Sequence, residues 1–169
     1  MNQNEFVNLV VPFQSKIFRL AKRLLISVEE AEDAIQEIME KLWKKNSDLQ
    51  HYKSVEALAM TMTKNFCLDQ LKSKRAQNLQ LVHSNYAENN SGLQKNIEDK
   101  DSLSWVEKIV SQLPAQQRLI IQLRDIEQLE FDEIAEITEM NATAIRVALS
   151  RARKTIRETM TKTHRYGTT

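Results

Sequence analysis

The stretch FDEIAEITEMNATAIRVALSRARKTIRE, residues 131–158, decides the fold of the C-terminal part of the chain. Its apolar residues recur at helical spacing and predict a short helix around 132–137 and a longer helix from about Ala142. A tight polar turn separates the two, so the stretch is a helix-turn-helix pattern. In such a unit the second helix enters the major groove of DNA, and its N-terminal residues face base edges.

The outer face of the longer helix supplies the candidate DNA contacts. Ile145 and Leu149 lie four residues apart and form the stripe that we expect to be buried. Arg146 can donate two hydrogen bonds to a guanine, a contact worth about 1–3 kcal/mol of base discrimination. The predicted base-facing residues are Thr143, Arg146, Val147 and Ser150, and the predicted phosphate-facing residues are Arg151, Arg153, Lys154 and Arg157.

Charge is segregated along this part of the chain, although the net charge of the whole chain is only +1. Residues 125–139 carry seven acids and no lysine or arginine, whereas residues 141–165 carry seven lysines and arginines and the single acid Glu158. A helix this basic attracts the phosphate backbone. The switch in charge favours nucleic-acid binding over a solvated basic face.

Composition predicts an all-α fold. The 169 residues are 41% hydrophobic and 28% charged, which is typical of a globular protein. The two glycines and two prolines are expected to lie outside the strongly periodic stretches, so long helices are available: Gly92, Gly167, Pro12 and Pro114.

Catalytic, metal and membrane functions have little support in the sequence. Cys67 is the only cysteine, and His51, His83 and His164 are scattered. There is no CxxC, HExxH or glycine-rich phosphate loop, so we predict no catalytic residue, no metal site and no cofactor. The sequence has no apolar run of about 20 residues and no signal pattern. We therefore expect no stable membrane insertion, and we expect a cytoplasmic location.

The N-terminal part predicts a second group of helices. Ser27 followed by Glu30 matches a capping box, so a helix is expected from about Val28 to Lys45. Another is expected over roughly 54–75, and Pro114 is expected to introduce a helix carrying Leu119, Ile120, Leu123 and Ile126. The predicted architecture is two small helical domains, 1–76 and 104–169, joined by a polar, flexible linker, 77–103.

Three stretches carry a family resemblance. VEEAEDAIQEIMEKLWKK (28–45) resembles the acidic polymerase-binding helix of bacterial sigma factors, and ALAMTMTKNFCLDQLKSKR (57–75) resembles their promoter-melting region. LPAQQRLIIQLRDIEQLEFDEIAEI (113–137), with the SRARKTIRE ending (150–158), is similar to the domain that grips the upstream promoter element. The length suits the two-domain extracytoplasmic-function group.

The resemblance implies a sigma factor that binds core RNA polymerase and promoter DNA at the −35 and −10 elements, with an anti-sigma factor as a further possible partner. The implied polymerase-binding residues are Asp33, Gln36, Glu37 and Glu40. The implied promoter-melting residues are Lys64, Asn65, Lys72 and Arg75, and the loop 51–55 with Asn65 is the candidate pocket for an extruded base. The family often has an aromatic residue and a glycine where this chain has Leu58 and Glu139.

Two other function classes remain open from the residues alone. An autonomous helix-turn-helix repressor or activator would need a dimer to read a palindromic site. A helical adaptor that binds only proteins would need only the acidic helix. A monomer in solution argues against the first class, and duplex binding by the basic helix argues against the second.

Overall fold

The computed structural model describes residues 1–82 and 102–166, and in this part of the chain all regular structure is helical. The all-α prediction is confirmed. A 3₁₀ turn, Leu49–His51, and a π-turn, Gln122–Ile126, connect α-helices. The α-helices are α1 Gln3–Leu25, α2 Val28–Lys44, α3 Val55–Val82, α4 Ser102–Ser111, α5 Ala115–Ile121, α6 Phe131–Thr138 and α7 Ala142–Tyr166.

The N-terminal domain consists of α1, α2 and α3, which pack around one apolar core. Ile17 and Leu20 of α1 and Ile38 and Leu42 of α2 are fully buried. Helix α2 begins as expected, because the Glu30 amide donates to the Ser27 hydroxyl at 3.3 Å. The apolar side of α2 faces the core, so the acidic residues on its other side face outward.

Pro12 lies inside α1, so the expectation that both prolines fall outside the helices is wrong. Proline has no amide hydrogen, and the Asn8 carbonyl therefore loses its helical donor. Pro12 is on the exposed side of α1, where water can serve that carbonyl. The buried residues on either side, Val10 and Phe13, hold the helix against the core.

Helical structure extends into both ends of the predicted linker. Helix α3 continues to Val82, and α4 begins at Ser102, so 77–82 and 102–103 are helical. The polar composition of 76–78 reflects residues exposed on a helix that extends past the core, and it does not end the helix. The remainder of the predicted linker, 83–101, lies outside the described residues.

The C-terminal domain begins with α4 and α5, and Pro114 is the residue that precedes α5, as expected. Leu119, Ile120 and Leu123 are buried, but Ile126 is exposed, contrary to the prediction. The π-turn explains the difference, because the Glu127 amide donates to the Gln122 carbonyl and the extra residue shifts the helical register.

The helix-turn-helix is present as predicted, with α6 and α7 as its two helices. Asn141 caps α7 by accepting the Ala144 amide at 2.8 Å. Glu139 ends α6 with φ of 60°, in the left-handed region. That conformation is unfavourable for a residue with a Cβ and suits glycine.

Replacing Glu139 with glycine is expected to raise the free energy of unfolding by up to about 1 kcal/mol, since glycine removes the strain of positive φ. The measurement is urea unfolding followed by circular dichroism. Glu32→Gly is the control, because Glu32 is exposed inside α2 and glycine there should lower stability by about 1 kcal/mol. A loss of stability in Glu139→Gly would contradict the strain argument.

The two domains pack against each other. Helix α1 contacts α5 and the π-turn, and α3 contacts α6. Buried apolar residues of both domains belong to one continuous cluster. No helix in the described ranges is both long and apolar enough to cross a membrane.

Candidate nucleic-acid and polymerase interfaces

The four predicted base-facing residues lie together on α7. Thr143, Arg146, Val147 and Ser150 are exposed, and with Arg151 they line one shallow depression. Ile145 and Leu149 are buried on the opposite side, so their packing role is confirmed. Because the helix is anchored from behind, its polar side chains are presented on a rigid surface.

Phe131 was not predicted as part of this site, yet it supports Arg146. The Arg146 guanidinium lies 5.3 Å from the centre of the Phe131 ring, and the Arg124 guanidinium lies 4.6 Å from it. Arg124 is itself fixed by donating to the Leu129 carbonyl at 2.8 Å. Cation–π contact limits where the Arg146 side chain can point. The sequence feature that could have indicated this support is an aromatic residue at the first position of α6.

The other basic residues of α7 differ in whether their side chains are paired with an acidic residue. Arg153 donates two hydrogen bonds to Asp125, at 2.5 and 3.2 Å, which ties α7 to the π-turn. These hydrogen bonds, more than the charge of Asp125, raise the pKa of Arg153. Lys154 lies 3.9 Å from Glu158, and Arg151 is exposed. All three remain candidates for phosphate contact, with Arg153 also bracing the fold.

The predicted polymerase-binding residues share one side of α2. Asp33, Gln36 and Glu40 are exposed, and Glu37 is partly exposed. Glu40 lies 3.0 Å from Lys44, and Glu37 lies 3.8 Å from Lys41. Exposed pairs of this kind contribute little to stability, so a basic partner can replace the lysines at small cost.

The predicted promoter-melting residues do not all reach the surface. Asn65, Lys72 and Arg75 are exposed on α3, whereas Lys64 has only 6% of its surface exposed. Lys64 is therefore buried where the prediction needs it exposed, and its contact with DNA stays a prediction. Lys64 lies on the side of α3 that also carries Ala57, Met60 and Thr61, since these positions are three or four residues apart.

A cleft of about 650 Å³ lies between that side of α3 and helix α6. Tyr52 and Lys53, from the predicted base-capture loop, line it on the N-terminal side together with Lys16. Glu133 and Glu136 of α6 line it on the other side. Glu56 also lines the N-terminal side and pairs with Lys16 at 2.7 Å, so both signs of charge are present there.

Arg118 of α5 joins the two domains from a buried position, with 7% of its surface exposed. Its guanidinium donates to the Arg23 carbonyl at 3.1 Å and to the Leu24 carbonyl at 2.8 Å. These carbonyls belong to the last turn of α1, where they lack helical donors and carry the negative end of the helix dipole. A third hydrogen bond reaches the Leu113 carbonyl at 2.6 Å. Burial, and then the nearby Arg23 charge, lower the pKa of Arg118.

A second interdomain contact joins α1 to the end of the π-turn. Arg19 donates to both carboxylate oxygens of Glu127, at 2.7 and 2.9 Å. Arg23 donates to the Gln122 side chain at 2.9 Å, and Gln122 donates to Glu127 at 3.2 Å. Burial raises the pKa of Glu127, but the hydrogen bonds and charge of Arg19 outweigh it, so the net pKa is lowered. No pattern in the sequence predicts this network.

Cys67 is buried in α3, and burial raises the pKa of its thiol to about 12. The thiol is therefore neutral near pH 7 and poorly nucleophilic. Across residues 1–82 and 102–166, no group of three or more histidine, cysteine, aspartate or glutamate side chains is arranged to hold a metal ion.

Comparison with known proteins assigns both domains. The family description for sigma-70 region 2 matches residues 9–77, and that for sigma-70 region 4 matches residues 103–156. The ECF RNA polymerase sigma-E factors of Escherichia coli K12 and Salmonella typhimurium LT2 are each 25% identical to the chain over 166 residues, covering 92% of it and 86% of their own length. The chain belongs to the extracytoplasmic-function group of sigma factors. This sigma factor serves transcription initiation by RNA polymerase.

Solved structures show the same fold. The sigma factor RpoE of Bartonella quintana, in complex with the anti-sigma factor NepR, matches this sigma factor with a TM-score of 0.74 and 22% identity, over 94% of this chain and 98% of that one. CnrH, in complex with the cytosolic domain of CnrY, matches with a TM-score of 0.69 and 19% identity, over 95% and 90% of the two chains.

Proposed function

We propose that this sigma factor binds core RNA polymerase and directs it to promoters by reading the −35 element with α7 and the −10 element with the N-terminal domain. The observation that carries the proposal is the exposed set Thr143, Arg146, Val147 and Ser150 on a helix anchored by a buried stripe. This is the arrangement that a recognition helix needs in the major groove. The sigma factor is proposed to have no catalytic activity of its own and to act in the cytoplasm.

The acidic side of α2 is proposed to dock on a basic surface of polymerase. Asp33, Gln36, Glu37 and Glu40 offer carboxylates and an amide to such a surface, where charge-assisted hydrogen bonds are strong. Asn65, Lys72 and Arg75 are exposed on α3 and are proposed to contact the melted strand. Lys64 is buried and joins this set only if it becomes exposed.

An anti-sigma factor is proposed as a further partner. RpoE and CnrH, which share the fold, were solved with NepR and with the cytosolic domain of CnrY. The exposed apolar residues Ile26, Val28 and Ile126, together with the basic Lys22, surround a cleft between the two domains. A partner that combines apolar and acidic side chains would suit this surface.

The test is abortive transcription by core polymerase with and without the purified chain, on a pool of promoter fragments whose products are sequenced. New start sites that depend on the chain support the proposal. Core polymerase that is neither bound nor redirected would leave the chain as an independent DNA-binding regulator.

Two arginines of α7 are expected to behave differently when each is changed to alanine. Arg146→Ala should change which promoters are used and cost about 1–3 kcal/mol at preferred sites, because it removes base readout. Arg151→Ala should weaken binding evenly across sequences. It should also reduce the slope of log affinity against log salt concentration by about 1, the value for one lost phosphate contact. Binding to a sequence pool at several salt concentrations measures both. Equal loss of sequence preference in the two variants would contradict the assignment.

A further inference from the structure

The π-turn, Gln122–Ile126, directs two consecutive side chains toward the two helices of the helix-turn-helix. The Glu127 amide closes this turn by donating to the Gln122 carbonyl at 3.0 Å, so the turn contains one residue more than an α-helical turn. Arg124 reaches the start of α6, and Asp125 reaches α7. These two residues connect the π-turn to both helices that the proposed function places on DNA.

The first contact is made by Arg124, whose own position is fixed within the C-terminal domain. Its guanidinium donates to the Leu129 carbonyl at 2.8 Å and lies 3.9 Å from the Glu130 carboxylate. The same guanidinium lies 4.6 Å from the centre of the Phe131 ring. That ring is partly buried and packs against the core. Phe131 is therefore held in place by the core and by a fixed cation.

Arg146 is the second cation on the same ring. Its guanidinium lies 5.3 Å from the ring centre, and the residue is on the exposed side of α7. Two guanidinium groups repel each other, and Arg124 is fixed by its hydrogen bond, so Arg146 is confined to the part of the ring that Arg124 leaves free. A long side chain that is already confined loses less conformational freedom when it binds. Phe131 thus prepares Arg146 for hydrogen bonding before DNA arrives.

The second contact joins Asp125 to Arg153, farther along α7. Both carboxylate oxygens accept hydrogen bonds from the guanidinium, at 2.5 and 3.2 Å, a geometry that fixes orientation as well as distance. Arg153 lies about two helical turns after Arg146, so the two are on the same side of α7. With Phe131 and Ser150 they line one depression that borders the base-facing residues. The π-turn therefore holds α7 at two points along the edge of its reading surface.

We propose that the π-turn is a positioning element for base readout: through Phe131 it directs the Arg146 side chain, and through Arg153 it sets the orientation of α7 in the groove. The proposal rests on the proposed function, because it concerns residues beside the side of α7 that is proposed to read bases. Arg124, Asp125 and Phe131 are positioning residues and need no contact with a base. Changing them should therefore alter how strictly the chain selects a sequence, and should alter nonspecific duplex binding much less.

The test is binding of the full-length chain to a pool of duplexes of randomised sequence, with the bound fraction sequenced at one salt concentration. Phe131→Leu removes the ring but keeps apolar bulk, and it should reduce the preference at the base contacted by Arg146 about threefold to tenfold. Total binding to the pool should change by less than about twofold, because phosphate contacts are unaffected. Phe131→Tyr keeps the face of the ring and should keep the preference.

The variant Arg146→Ala identifies that base position, because the preference there is lost with the guanidinium. In the Arg146→Ala background, Phe131→Leu should have no further effect on preference, since its route to the base has been removed. A merely structural role would weaken all binding by the same factor in both backgrounds. Met140→Ala is the matched control, because Met140 is partly buried at the turn between α6 and α7 and its loss should lower stability without changing preference.

The contact between Asp125 and Arg153 is tested with variants that separate charge from geometry. Asp125→Asn removes a negative charge near the duplex, so nonspecific binding should strengthen slightly while sequence preference falls about threefold. The charge-swapped double variant Asp125→Arg, Arg153→Asp keeps the pair and the net charge, and it should restore the preference. Stronger binding with unchanged preference in Asp125→Asn would overturn the positioning role of this pair.

The outcomes also separate this proposal from the proposed function. If Arg146→Ala relaxes the preference but Phe131→Leu does not, positioning through Phe131 is overturned and base readout by α7 stands. If Arg146→Ala itself leaves the preference unchanged, base readout by Arg146 is refuted, and the positioning role of Phe131 is refuted with it.

Discussion

Changing Asp33 and Glu37 together to lysine is expected to abolish chain-dependent transcription from every promoter, a loss of at least about a hundredfold. The two carboxylates lie on one exposed side of α2, where they are available to a basic partner. Losing one member of a desolvated charge pair costs about 2–5 kcal/mol, and reversal adds repulsion. Abortive transcription measures activity, and anisotropy of the labelled chain measures binding to core polymerase.

The control for this prediction is an exposed acid away from the assigned side of α2. Because Glu32, the nearest exposed acid, lies only about 40° from Gln36 around the axis of α2, the control is taken from another helix, at the exposed Glu107 of α4. Glu107→Lys changes charge as Asp33→Lys does, yet should keep most of the polymerase affinity. If both single variants lose affinity equally, net charge drives the association and the assigned face is wrong. Duplex binding by α7 should survive in all of these variants.

The sequence alone predicted the features that depend on residues close together along the chain. The start of α2 at Ser27, the helix-turn-helix and the buried pair Ile145 and Leu149 follow from spacing and capping alone. The exposed side of α7 follows from the same spacing. What spacing missed were local departures from it, since the π-turn rotates Ile126 outward and α3 extends to Val82.

The sequence could not predict the contacts between domains. Arg118 meets carbonyls of residues 94 and 95 positions away, and Arg19 meets Glu127 across 108 positions. Helical spacing in the sequence does not identify such partners, because an arginine that contacts the other domain cannot be distinguished by spacing from one that stays in solvent. The burial of Lys64 was also not predicted from spacing. Resemblance placed Lys64 in a DNA-binding region, whereas the structure buries it.

Changing Arg118 to methionine is expected to separate the unfolding of the two domains and to lower the stability of their association by about 3 kcal/mol. Methionine keeps apolar bulk but leaves the Arg23 and Leu24 carbonyls without their charged donor, and each such hydrogen bond contributes about 1.5–3 kcal/mol. Trp43 lies in the N-terminal domain and Trp105 in the C-terminal domain. The single-tryptophan variants Trp43→Phe and Trp105→Phe therefore report one domain each during urea unfolding.

In the unaltered chain the two tryptophans should give the same midpoint, because buried residues of both domains form one continuous core and unfold together. In Arg118→Met the midpoints should diverge. Arg124→Met is the matched control, since Arg124 bonds to Leu129 within the C-terminal domain, and it should shift both midpoints together. Coincident midpoints in Arg118→Met would mean that apolar contact alone couples the domains. Divergence would show that one buried guanidinium at the end of α1 decides whether the chain unfolds as one unit or two.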